Sequence, residues 1–408
     1  MAGRLPGARR RRRGAILFVL VAVVAWLTTG GPSALAGPGK GPVRPIVEFA
    51  PDQAGGPVVL AYYYIWYAPR SWDRAKTDLP RLGPYSSKDP AVIAQHVAWA
   101  KAAGIDALIV SWKHEPRLDE PLATLVAAAR EADLGLVLLY QGLDFSRRPL
   151  DSQRIADDLE WFMNEYGDDP VFDVFGAPTI IFSGTPSFSL EQIAAVRQAV
   201  LGAGPARLLG SERSGDDYAA RRDVLDGDAY YWSSVDPDRD RGYFDRLAAL
   251  AASIRDDAGL WIAPVAPGFD ARLIGGTRVV DRADGATYRT QWTTALSTDP
   301  DGLGIISWNE FSENSQIEPS REFGTTYLTA TAGLVRETLG RQTPIDPAAA
   351  TARPIEPSPS VAPQVSGAGR NAVVEQLLPL AVAVLLLVSL AALARRPRAP
   401  TPPTSAAP

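Results

Sequence analysis

Cysteine is absent from the 408 residues, which excludes a disulfide framework, thiolate-held zinc and a catalytic thiol. Histidine is nearly absent: His96 and His114 are the only two, too few for a histidine-built metal centre. Any chemistry here must run mostly on carboxylates, hydroxyls and aromatic rings. Excess positive charge is missing as well. The formal charge is −5, and nine of the 41 basic residues lie in the two ends (Arg4, Arg9 to Arg13, Arg395, Arg396, Arg398). Neither end carries an acid, which leaves 32 bases against 46 acids between them, or −14. A body this acidic repels phosphate backbones, so nucleic acid is not expected as a partner.

What is present is 46% hydrophobic residues, enough to bury a large core and too much for a disordered or collagen-like chain. The ends carry targeting signals. Arg9 to Arg13 precede the apolar run Ala15 to Leu27 and the small-residue site Ser33-Ala34-Leu35-Ala36. That order reads as a secretory signal over residues 1–36, the competing reading being an uncleaved anchor, for which thirteen residues are short. Leu377 to Leu393 is almost wholly apolar and is followed at once by Arg395, Arg396 and Arg398. It reads as a transmembrane helix over 375–394, with the tail 395–408 in the cytoplasm. A Pro/Ala/Ser-rich stalk over 343–374 joins this anchor to a folded domain over 45–342. The arginine-over-lysine bias and abundant alanine fit a bacterial chain of high GC content. The expectation is a single-pass monomer displayed on a bacterial cell surface.

Within the body, strand-like and helix-like runs alternate. Val58–Ile65, Ile105–Trp112, Leu134–Tyr140, Pro178–Ser183, Arg207–Gly210, Ala229–Trp232, Gly259–Val265 and Gly302–Trp308 read as strands. Helical spacing follows each one, at about 90–103, 118–132, 152–166, 189–201, 217–223, 240–255, 288–297 and 323–339. Eight such units predict an α/β fold, a (β/α)8 TIM barrel in one domain. The turn after the first strand, Trp66-Tyr67-Ala68-Pro69, is no glycine-rich phosphate loop, so a nucleotide-binding sheet is disfavoured.

Active sites of such barrels lie at the C-terminal strand ends. Those ends carry Tyr64, Trp66 and Tyr67; Trp112, Lys113 and His114; Tyr140 and Gln141; Tyr231 and Trp232; and Trp308, Asn309, Glu310 and Glu313. Flat aromatic faces suit the C–H faces of sugars, and paired carboxylates suit glycosidic cleavage. For any single aromatic, ordinary barrel core is an equal alternative. Glu310 and Glu313 are three residues apart directly after the last strand. A helical turn there would put both on one face and push their pKa values apart; otherwise they are a solvated acidic loop. The Asp216, Asp217, Asp223, Asp226 and Asp228 cluster lacks a calcium-loop pattern and reads as solvated acids, with Asp226 placed to cap a strand. His114 and Glu115 fit either a cleft wall or a surface loop, and His96 fits a structural histidine.

At these residues the sequence resembles the endo-α-mannosidase family of glycoside hydrolases, family 99 and its bacterial relatives. The family motif Asn-Glu-Trp-His-Glu-Gly-Thr-Gln-Ile-Glu is matched by Asn309-Glu-Phe-Ser-Glu-Asn-Ser-Gln-Ile-Glu318. In the same order, Tyr63-Tyr-Ile-Trp-Tyr67, the block Pro80 to Pro90, Ser111-Trp112, Asp226-Gly227 with Tyr231, and Ala263 to Asp270 also match. The resemblance covers most of Val58 to Leu328. It implies a barrel, no metal, and retaining cleavage of α-mannosidic linkages in a mannose-containing glycan. Carried over by motif, Glu310 deprotonates the sugar 2-hydroxyl and Glu313 is the acid and later the base that activates water. Tyr64, Trp66, Tyr67, Trp112, Tyr231, Trp308, Asn309 and Gln316 are the expected substrate-binding residues, and Glu318 a supporting one. The sequence departs from the family at Phe311-Ser312 and Asn314. After the third strand, where the family has His-Ile-Glu-Pro, it reads Tyr140-Gln-Gly-Leu-Asp144. These changes motivate a second reading, a glycan-binding protein without catalysis on the same barrel.

Overall fold

The computed structural model of the protein describes residues 56–144 and 146–343. The secretory signal, the stalk beyond residue 343, the span at 375–394 and the tail at 395–408 lie outside the described residues. Among the described residues no helix is long and apolar enough to cross a membrane.

Strands that read as unbroken apolar runs are buried on both faces, the mark of a parallel sheet covered by helices. The barrel strands are β1 (Val58–Tyr64), β2 (Ala107–Trp112), β3 (Gly135–Gln141), β4 (Thr179–Ser183), β5 (Arg207–Leu209), β6 (Gly227–Asp228), β7 (Leu260–Val265) and β10 (Gly302–Ile305). All pair in parallel, in the order β5-β4-β3-β2-β1-β10-β7-β6. The two outer strands meet at a single parallel bridge, Gly210 to Asp228. There Gly210 N–H donates to Gly227 O at 3.0 Å and Ala229 N–H donates to Gly210 O at 3.1 Å. This seam closes the expected eight-stranded barrel.

The helices between strands are α1 (Pro90–Ala102), α2 (Pro116–Ala132), α3 (Ser152–Tyr166), α4 (Leu190–Ala203), α5 (Gly215–Ala219), α6 (Tyr243–Arg255), α7 (Ala286–Leu296) and α8 (Thr326–Leu339). Their starts follow from local chemistry. Asp89 and Asp151 accept the first free N–H groups of α1 and α3, and Ser189 with Gln192 forms a capping box on α4. At the opposite end of the barrel, aspartates in the turns entering strands bond the neighbouring strand. Asp106 accepts from Val59 N–H, Asp226 from Leu208 N–H and Asp301 from Trp261 N–H, each at 2.8 Å. Asp226 is thus a strand cap, and Arg197 pairs with both its oxygens.

Three departures from the expected elements concern short segments. The sixth strand pairs at Gly227–Asp228 rather than from Ala229, and the chain then leaves the sheet with Tyr231. The last strand ends at Ile305, although Ile306 N–H still donates to Val265 O at 2.7 Å and Trp308 N–H to Tyr62 O at 2.8 Å. A small antiparallel hairpin, β8 (Phe269–Asp270) and β9 (Val279–Val280), interrupts the seventh unit and has no counterpart in the expected order.

Gly227 is where the sixth strand depends on a missing side chain. Its φ is +150°, and a Cβ there would lie 2.0 Å from Leu260 O. Gly227→Ala is therefore expected to destabilise the barrel by on the order of 3 kcal/mol. The measurement is the denaturant midpoint, and an unmoved midpoint would contradict this contact.

Candidate active site

The mouth of the barrel is shaped by the segment that leaves β10. Ser307 N–H donates to Ser315 O at 2.9 Å, Ile317 N–H to Ser307 O at 2.9 Å, and Glu318 N–H to Trp308 O at 2.8 Å. Residues 307 to 318 thereby fold back on themselves. At the tip Glu313 N–H donates to Glu310 O at 3.3 Å, so the turn implied by the three-residue spacing is present. Asn314 completes it in the left-handed region at φ 48°. Arg282 holds the return strand from beneath: Nη2 donates to Asn314 O and to Gln316 O, both at 2.9 Å. Its guanidinium lies 4.4 Å from the Phe323 ring centroid and 4.3 Å from that of Tyr327. Asp270 N–H of β8 donates to Glu313 O at 2.7 Å, which ties the hairpin to the same turn.

The two carboxylates have different surroundings. Glu310 is buried, and its Oε1 accepts Ser312 N–H at 3.0 Å. Burial raises its pKa, while the Ser312 bond and the charge of Lys76 oppose the rise. Glu313 is half-buried and has weaker help, a Tyr231 hydroxyl at 3.5 Å. Burial first, and the charge of Glu310 second, push its pKa up to about 8. Of two crowded carboxylates, the one whose charge is better hydrogen-bonded and paired ionises first. At neutral pH Glu313 therefore holds a proton.

Aromatic residues from the end of β1, the turn after it and the segment after β6 line this turn. The Tyr64 hydroxyl donates to the Tyr231 hydroxyl at 2.8 Å, and Tyr231 continues to Glu313. Trp66, 36% exposed, stacks on Tyr64 with centroids 4.3 Å apart. Tyr67 lies one layer lower, stacked on Trp72 at 4.6 Å, with its hydroxyl donating to Asn309 O at 2.6 Å. Tyr64, Tyr67, Trp72, Tyr85, Val92 and Phe311 form a compact aromatic floor under the carboxylates.

Of the ten site residues read from the sequence, the fold brings Glu310, Glu313, Tyr64, Trp66 and Tyr231 together, with Tyr67 directly beneath. The other four are corrected from binding surface to wall. Asn309 is fully buried, and its amide is committed to Tyr64 N–H and Tyr64 O, each at 2.9 Å, and to Tyr85. Trp308 is fully buried beside His96. Trp112 faces outward under the helices, stacked on Trp161, with its indole N–H donating to Asp119 Oδ1 at 2.9 Å. Gln316 is buried, with Nε2 donating to Asp78 at 3.2 Å.

Sequence reasoning missed Lys76, Arg282 and the aromatic floor. Tyr85 alone had a signal, since it sits in the Pro80 to Pro90 block. His114 stacks on Trp161 at 4.1 Å outside this group. The Asp144 carboxylate accepts from Ser146 N–H, Arg148 N–H and Arg148 Nε, so its own loop consumes it. Among the described residues no three histidine or acidic side chains gather as a metal site.

With this geometry established, comparisons with known proteins bear on its meaning. Residues 68–183 match the model of Glycosyl hydrolase family 99. A glycoprotein endo-alpha-1,2-mannosidase-like protein of Danio rerio is 26% identical over 63% of this chain and 63% of its own length. The glycoprotein endo-alpha-1,2-mannosidase of Rattus norvegicus is 24% identical over 61% of this chain and 58% of its own. The chain thus spans less than two thirds of these relatives. The GH99 endo-alpha-mannosidase of Bacteroides thetaiotaomicron superimposes with a TM-score of 0.61 at 21% identity, over 69% of this chain and 96% of the other. A structure described as a glycoside hydrolase-like protein gives 0.54 at 15% identity, over 70% and 94%. These two likenesses establish the barrel. Motif, family model and relatives point the same way: the chain is similar to the endo-α-mannosidase-like family, glycoside hydrolase family 99, and the family model itself matches residues 68–183.

Proposed function

We propose that the protein is a retaining glycoside hydrolase that cleaves α-mannosidic linkages in a mannose-containing glycan. The observation that carries this is the pair of carboxylates on one turn, Glu310 held by the Ser312 N–H at 3.0 Å and Glu313 facing the Tyr231 hydroxyl at 3.5 Å. The anionic Glu310 takes the proton from the sugar 2-hydroxyl, whose oxygen attacks the anomeric carbon as the glycosidic bond breaks. Glu313 gives its proton to the leaving oxygen. The epoxide-like intermediate is then opened by water, which Glu313, now anionic, deprotonates, while Glu310 returns its proton to the 2-oxygen. Every proton is accounted for and both groups end as they began. Trp66 offers an exposed aromatic face for a sugar ring at the rim.

The reading extends to location. Export by the leader and a span at 375–394 put the barrel outside the cell, as a monomer.

Incubating residues 37–342 with a panel of α-mannans and following new reducing ends by mass spectrometry tests the activity. Glu310→Gln and Glu313→Gln should each lower kcat about 10²- to 10⁴-fold with an unchanged circular dichroism spectrum. Turnover retained by both variants would defeat the proposal. Trp66→Ala should raise KM about tenfold and leave kcat near the wild-type value.

The acid also sets a pH limit. The wild-type kcat/KM should fall as pH rises through about 8, where Glu313 loses its proton. The same proton affects stability. Glu313 binds it more tightly folded than unfolded, so stability is full below the ordinary carboxyl range and is lost as pH rises toward about 8. Glu313→Gln lacks this loss. Its unfolding temperature should match the wild type near pH 4 and exceed it by roughly 2–4 °C at pH 8; a constant gap across that range would contradict the assignment.

A further inference from the structure

Behind the carboxylate turn runs a chain of polar side chains with almost no access to solvent. The Tyr63 hydroxyl lies 3.0 Å from His96 Nδ1, and His96 Nε2 lies 3.2 Å from Glu318 Oε1. Glu318 Oε2 accepts the Tyr85 hydroxyl at 2.8 Å, and the Tyr85 oxygen accepts Asn309 Nδ2 at 3.2 Å. Asn309 then clasps both backbone groups of Tyr64 and precedes Glu310. The residues come from β1, the segment before α1, α1 itself and the carboxylate segment. With the Tyr63 hydroxyl donating to Nδ1, the remaining ring proton is on Nε2, which lies close to Glu318 Oε1 without hydrogen-bond geometry.

Tyr85, Glu318 and His96 touch none of the open surface of the site, and a purely stabilising core would be served as well by apolar side chains. The hydrogen bonds of Glu318 and Tyr85 converge on one amide, Asn309, with His96 packed against Glu318 behind them, and Asn309 is adjacent to the carboxylate that must meet a sugar hydroxyl. We propose that His96, Glu318 and Tyr85 are positioning residues that act through Asn309 to fix the Glu310 carboxylate against its substrate. The proposal rests on the hydrolase reading for its effect on turnover, though its geometric content does not.

The experiment has two arms. In the first, Tyr85→Phe and Glu318→Gln are each assayed on the α-mannan that the wild type cleaves. Each should lower kcat about 10- to 100-fold with KM within about twofold, and the double variant should lose no more than the worse single one, because both break one chain. Tyr288→Phe is the control. It removes an equally buried hydroxyl, 2.9 Å from Thr331 in the helical layer, and should lower the unfolding temperature comparably while leaving kcat unchanged. In the second arm no turnover is needed. Carboxyl ¹³C NMR of labelled glutamate, in the Glu313→Gln background where Glu310 titrates alone, should show the Glu310 midpoint displaced by about 0.5 pH unit or more on adding either substitution. A wild type that cleaves nothing would remove the hydrolase reading and leave this second arm standing. Kinetic losses no larger than those of Tyr288→Phe, or an unmoved Glu310 midpoint in folded protein, would overturn the proposal. If Tyr85→Phe does not fold, Glu318→Gln decides it.

Discussion

The clasp between the Asn309 side chain and the backbone of Tyr64 is the contact on which the site depends. It joins the segment leaving β10 to the last residue of β1, after the ladder between those strands has ended. A backbone ladder alone would set the two carboxylates only by the strand register. The amide adds a second pair of hydrogen bonds, both 2.9 Å and both shielded from water, where such bonds are most costly to break. Once Asn309 is fixed, the Tyr67 hydroxyl can bond its carbonyl, Ser307 Oγ can take Glu310 N–H at 2.7 Å, and the turn to Glu313 follows.

The asymmetry of the carboxylates is a consequence of where that turn sits. Glu310 lies on the buried side, and the turn's own Ser312 N–H and the charge of Lys76 supply what water would have supplied. Glu313 lies toward the mouth, where the charge of Arg147 and a distant Tyr231 phenol only partly oppose the effect of burial. The Tyr64 and Tyr231 hydroxyls are held well above the ordinary phenol range by burial, so both remain proton donors beside it. One proton is thereby assigned within a pair that composition alone would have left equivalent.

The barrel was legible because buried parallel strands and capped helices carry strong local signals: VVLAYYY and ALIVSW cannot be solvated, and Asp89, Asp151 and Ser189 begin helices by filling orphan N–H groups. The two-residue strands were not legible, since a period of two cannot be read from Gly227–Asp228 or Phe269–Asp270. The carboxylate pair and its turn were legible from spacing. The aromatic assignments were only half so, for a reason of parity. In β1, Tyr62 and Tyr64 point into the barrel toward Ala229 and Tyr231, whereas Tyr63 points out to His96 on α1. With both faces apolar, no polar alternation tells a strand-end aromatic which way it faces. Trp112 and Trp308 therefore read as cleft residues and proved to be wall.

The departures from the family motif separate into those that touch the backbone and those that touch the walls. Asn314 stands where the family has glycine, and its φ of 48° is one that asparagine tolerates better than other side-chain-bearing residues. The turn that carries Glu313 is thus kept. Phe311 is buried edge-on to Trp72, with centroids 5.6 Å apart, so it belongs to the floor rather than to the mouth. Ser312 contributes to Glu310 through its backbone N–H, which any residue but proline supplies, and through its hydroxyl, which the family's histidine does not supply. The loop after β3 differs more. Asp144 spends its carboxylate on its own turn, and Gln141 reaches only Ser111 at 3.4 Å. The turn that carries Glu310 and Glu313 is therefore kept despite these substitutions, and the loop after β3 is where the surroundings of the turn depart furthest from the family motif.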